Sequence, residues 1–109
     1  MSSTLMHFVR LLRRCMTREH GAERIAKAEA DVATLQRRRS ALVAQGRELA
    51  DERVSVAIQA SAYEPGARAR LREINSELAL IEVELRNTDA ALTEAAKRLA
   101  LAQRQEQAA

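Results

Sequence analysis

The sequence predicts an all-α fold, a long antiparallel two-helix coiled-coil hairpin, and three observations carry that prediction. Leu71, Leu78, Leu85, Leu92 and Leu99 recur every seventh residue, with Ile74, Ile81, Thr88, Ala95 and Ala102 three positions further on. A heptad held over five repeats places one apolar seam on a helix and calls for a partner helix. A second ladder at the same spacing, Ala28, Leu35, Leu42, Leu49, Val56 and Tyr63, supplies that partner earlier in the chain. Between the ladders lies the only proline, in the segment Tyr63-Glu64-Pro65-Gly66.

Composition agrees with this reading and limits the function classes. The 109 residues suffice for one domain. Hydrophobic residues make up 47% but aromatics only 2%, with one Phe, one Tyr and no Trp, so a compact core with a deep pocket is not expected. Ala, Leu, Glu, Arg and Gln dominate and 30% of residues are charged, which is the composition of long helices. The net charge of +3 is unevenly placed. Within residues 1–20, Arg10, Arg13, Arg14 and Arg18 stand against Glu19 alone, which already gives +3, and the remaining 89 residues balance. Mixed-charge arms of this kind lack the broadly basic face of a specific nucleic-acid binder. The single cysteine, Cys15, leaves no intrachain disulfide and fits a reducing compartment.

Residues 1–21 read as a basic amphipathic helical segment continuous with helix one. Leu5, Phe8, Leu12 and Cys15 line one stripe, Val9 and Met16 widen it, and Arg10, Arg13, Arg14 and Arg18 lie mostly opposite. The arginines interrupt the apolar run a secretory signal needs, and the segment is too short to cross a membrane. Three uses are open: docking on a partner protein, lying on a membrane surface, or extending helix one and packing on the end of helix two. At His20-Gly21 the stripe slips by one residue and continues through Ile25 and Ala28, so a kink or change of packing partner is expected there.

The hairpin is expected over 22–109, with helices at about 22–62 and about 65–105. The companions of the first ladder are Ile25, Val32, Arg39, Gly46, Arg53 and Ala60. Arg39 and Arg53 either flank the seam as solvated residues or cover it with their stems, and Gly46 admits close approach of the opposing helix. The Arg37-Arg38-Arg39 run spreads around more than half the helix and reads as solvated surface. Proline disfavours helix in the residue before it and suits the first turn of a new helix. Helix one should therefore end near Ser61–Tyr63 and helix two begin at Pro65 or Gly66, and so short a connection makes the helices antiparallel. Each arm of about 40 residues is roughly 60 Å long, with fraying expected from Gln103 to Ala109.

Val43, Val54, Ile58, Leu80 and Val83 fall outside both seams. Folding at Pro65 brings Leu80 and Val83 level with about Arg47 to Ala50, so Val54, Ile58, Leu80 and Val83 are candidates for an oligomer contact, such as a homodimer resembling a four-helix bundle. No chemistry is legible. His7 and His20 have no partners at metal-ligand spacing, the three glycines are scattered, and a thin hairpin offers no water-excluded cavity. The sequence carries no catalytic set and no cofactor or metal site, and a non-enzymatic role is expected.

The opening pattern Phe8-Val9-Arg10-Leu11-Leu12-Arg13-Arg14, followed by Arg18-Glu19, Ala22-Glu23 and Ile25-Ala26-Lys27-Ala28, is similar to the start of the FliJ/YscO family. These are small helical-hairpin stalk proteins of flagellar and virulence type III secretion systems. The resemblance covers roughly residues 5–50 in style and the whole chain in architecture. It implies a cytoplasmic stalk, peripheral at the inner membrane, whose open end sits in the hole of a hexameric export ATPase. The turn end would face the export gate or escort chaperones. In that setting Leu12, Arg13, Arg14 and Arg18, beside Phe8, are candidate ATPase contacts, and Tyr63, Glu64 and Arg68 form the exposed tip. Three roles thus stand side by side: adaptor or stalk for protein transport, self-assembling scaffold of a phage-related kind, and peripheral membrane protein.

Overall fold

The structure, a computed structural model, describes residues 2–108, and their side chains except at 2–3 and 15–18. Two helices, α1 (Ser2–Ser61) and α2 (Ala67–Ala108), pack together as a helical hairpin, with no strand among the described residues. Helix α1 ends at Ser61, within the span Ser61–Tyr63 expected from the proline. It passes through Gly21 as a continuous helix.

The turn has a definite hydrogen-bond pattern. Glu64 N–H donates to the Gln59 carbonyl at 3.0 Å and Tyr63 N–H to the Ala60 carbonyl at 3.1 Å. This pair of bonds is a Schellman cap, which closes a helix by putting one residue in the left-handed region. That residue is Tyr63, at φ 60°. Gly66 follows at φ 80° and is also non-helical, so α2 starts at Ala67 and not at Pro65 or Gly66 as expected from the proline. The Gly66 carbonyl accepts the first helical bond, from Arg70 N–H at 3.0 Å.

The chain forms two compact units: Thr34–Leu92, and Met1–Ala33 with Thr93–Ala109. The first contains the core of Leu42, Leu49, Val56, Ala60, Ala67, Ile74 and Ile81, with Leu71, Leu78 and Leu85 packed against it. Gly46 faces Ile81, whose Cγ2 lies 3.6 Å from where a Cβ on the glycine would stand. That register sets Leu42, Leu49 and Val56 level with Leu85, Leu78 and Leu71, and Arg53 level with Ile74. The deepest positions on α2 are not the leucines but their companions: Ile74 is fully buried, and Ile81 and Thr88 are buried while the leucines stay half-buried. The reason is complementary size. The companions come level with Gly46, Arg53 and Arg39, where a glycine leaves room and arginine stems lean outward.

Arg39 is a seam residue with its end in solvent, its side chain about half exposed, and its Nε donates to Asp89 Oδ1 at 2.7 Å. Arg39 comes level with buried Thr88, so the two make a polar layer in the seam. Among the described residues no buried side-chain polar atom lacks a partner.

The second unit packs on smaller residues. Gly21 and Ala95 are buried, and Ile25, Ala28, Val32, Leu99 and Ala102 are half-buried. The carboxylate of Glu106 lies over Gly21, in the place a Cβ would occupy. Within this unit the packing of α1 reaches Gly21, and α2 remains helical to Ala108, beyond the point where fraying was expected.

Candidate functional site

The candidate docking residues fall into two surfaces. The first is the start of α1. A continuous helix over 4–14 puts Leu5, Phe8 and Leu12 on one stripe, with Val9 beside them and Arg10 and Arg14 opposite. These apolar side chains are solvent-facing: Leu5 is 69% exposed, Phe8 60%, Leu12 48%, and Met6, Val9 and Leu11 are exposed as well. Contiguous exposed apolar side chains rimmed by charge mark interaction sites more often than scattered ones do. Gly21 sits at the level of Glu106, so residues 4–14 lie beyond the described part of α2. Of the reading that they extend helix one and pack on the end of α2, the extension is present, and the side chains of 4–14 are exposed. Arg13 and Arg14 are both exposed, and Arg13 already takes part in an interaction within the chain. The side chain of Arg18 lies outside the described residues.

The second surface is near the turn. Tyr63 is 80% exposed, and the Arg68 guanidinium sits over its ring, 5.3 Å from the centroid. The left-handed backbone at Tyr63 projects the ring, and Arg68, one position into α2, covers it; exposed contacts of this type contribute about 0.5–1 kcal/mol. Glu64 is exposed in the turn itself. Beside the turn, Val54, Ala57, Ile58 and Leu71 line an open groove of about 470 Å³ with Arg53 and Asn75. Val54 and Ile58, 63% and 68% exposed, share this groove, whereas Leu80 and Val83 are exposed elsewhere. The four candidate oligomer residues are therefore not brought into one strip.

Electrostatics on the opposite side of this unit centre on Arg70. Its Nε and Nη2 donate to the two carboxylate oxygens of Glu52, each at 2.8 Å, and Glu73 and Glu77 lie 3.2 and 3.6 Å from Nη1. The hydrogen bonds from Arg70 hold the Glu52 carboxyl below its usual range, and those to Glu52 and Glu73 raise Arg70 in turn. Spacing did not reveal this clamp, because Glu52 and Arg70 are 18 residues apart and meet only across the hairpin.

Among the described residues no group of three or more His, Cys, Asp or Glu side chains could hold a metal ion, and no helix is long and apolar enough to cross a membrane. The geometry offers surfaces that can be covered. Comparisons with protein-family models, with curated proteins and with solved structures find no match to this chain.

Proposed function

We propose that this protein is a non-enzymatic coiled-coil adaptor or stalk that docks on a protein partner through the amphipathic start of α1. The observation that carries the reading is the exposure of Leu5, Phe8 and Leu12 on one helical stripe, outside the protein's own core. Burying three such side chains is worth about 1.5–3 kcal/mol each before the cost of association, and Arg10 and Arg14 favour a partner groove with an acidic rim. The same residue pattern motivates the setting of a type III export apparatus. There the partner is the export ATPase ring at this end, with the export gate or chaperones at Tyr63, Glu64 and Arg68. A cytoplasmic location follows from that setting.

Photocrosslinking from position 12 in cells tests the reading. A discrete protein adduct, lost when Phe8→Glu is added, is the expected result, and identification of the adduct as an export ATPase would establish the stalk role. Adducts to lipid alone would transfer the segment to the membrane surface, and the adaptor reading would fail.

A further inference from the structure

A different surface carries a second inference, independent of the docking end. In α1 the seam positions a and d are Arg39, Gly46, Arg53 and Ala60, and Leu42, Leu49 and Val56; in α2 they are Leu71, Leu78 and Leu85, and Ile74, Ile81 and Thr88. In an antiparallel hairpin the g positions of both helices share one flank and the e positions share the other. The structure shows this directly. The cross-helix pairs Glu52–Arg70 and Arg38–Glu84 join g to g, and the groove is lined at e by Ala57 and Asn75.

Charge is segregated between the flanks. Between residues 47 and 82 the groove side, taken as the e and b positions with Arg53, carries Arg47, Arg53, Arg68 and Arg72 against Glu82, or +3. The g and c positions over the same span carry Glu48, Glu52, Glu73 and Glu77 against Arg70, or −3. Arg53 and Arg68 have no carboxylate partner among the described residues, while Arg70 has three. Each flank also exposes apolar surface: the Val54–Ile58–Leu71 groove on the basic side, and Leu80, 64% exposed and at a c position, on the acidic side.

We propose that the protein associates with further copies of itself flank to flank, Leu80 on the acidic flank of one copy entering the Val54–Ile58–Leu71 groove on the basic flank of the next. A second copy is the occupant that the charges select, because Arg53 in the groove and Arg47, Arg68 and Arg72 on the same flank meet a surface of equal and opposite charge on the same chain. Two like flanks would repel. The contact is heterologous: every copy offers one knob and one groove on different sides, so association is open-ended and does not stop at a dimer. With one leucine as its apolar centre and exposed charges around it, the contact is weak and salt-sensitive.

Sedimentation equilibrium of the full chain over a wide concentration range is the test. The expected result is a weight-average mass that rises with concentration without a plateau at two copies, and falls when salt is added. Ile58→Glu and Leu80→Arg change exposed residues and should each give a helical monomer by circular dichroism and sedimentation. Mixed together they should form a one-to-one heterodimer, because the groove intact in L80R accepts the leucine intact in I58E. A wild-type chain that stays monomeric overturns the proposal. So does association that survives either variant, or a mixture of the two variants that stays monomeric.

Discussion

At the scale of single residues, the turn shows what a helix end requires of its sequence. A Schellman cap needs one left-handed residue, glycine fits there at least cost, and this chain uses Tyr63. A side chain in that region costs about 1–2 kcal/mol, which the Arg68 contact offsets only in part. Tyr63→Gly should therefore raise stability by roughly 0.5 kcal/mol. Tyr63→Ala should lower it, since alanine keeps the backbone cost and loses the ring; chemical denaturation of the two variants gives the comparison. The proline announced the turn, but nothing in a tyrosine announces a left-handed cap. The start of α2 at Ala67, one to two residues later than the proline suggests, has a separate cause: Gly66 takes a left-handed φ of 80° and stays outside the helix. The Glu52–Arg70 clamp makes a residue-scale prediction about pH. Glu52 is lowered in the folded state, so the stability it confers is present above the ordinary carboxylate value of 4.5 and is lost as pH falls through the lowered one. Glu52→Gln should flatten that part of the acid limb of a stability–pH curve, and an unchanged limb would show that the clamp contributes nothing.

At the scale of the helices, the heptad ladders made the seam legible because burial along a coiled coil repeats every seven residues whatever the partner's identity. Leu42, Leu49, Val56, Ile74 and Ile81 are all buried. Depth was less legible. It depends on what stands opposite: Ile74 is fully buried at the level of Arg53, an exposed seam residue whose solvated and seam-covering readings the ladder alone left open. Ile74→Ala should cost about 2–5 kcal/mol in denaturant unfolding, the range for a buried aliphatic whose site does not collapse. Gly46 makes the opposite case. Its place in the seam admits close approach of the opposing helix, and a Cβ there would meet Ile81 Cγ2 at an ordinary 3.6 Å. Gly46→Ala should accordingly gain about 1 kcal/mol from helix propensity, and a loss measured the same way would show that the helices need the missing side chain. The contact of Glu106 with Gly21 was illegible for another reason: a glutamate in the seam reads as the end of the apolar pattern, and only the glycine opposite gives it a seat.

At the scale of the whole molecule, the 47% hydrophobic composition is divided between a core in Thr34–Leu92, a thinner seam of small residues in the other unit, and apolar surface that the hairpin leaves in solvent. Two surfaces account for much of that remainder: the stripe of Leu5, Phe8 and Leu12, and the groove beside the turn. The amphipathic stripe was legible from helical spacing. Its exposure was not, because spacing defines a face without saying what covers it. A docking face at the start of α1 requires that exposure, and thermal and denaturant unfolding of the double variant Phe8→Glu, Leu12→Glu measures it. If the stripe is a docking face outside the core, helicity is retained and stability changes by no more than about 0.5 kcal/mol, as for other surface substitutions. A loss of several kcal/mol, of the size expected for Ile74→Ala, would mean that residues 4–14 pack within the protein's own fold, and the docking account would be wrong.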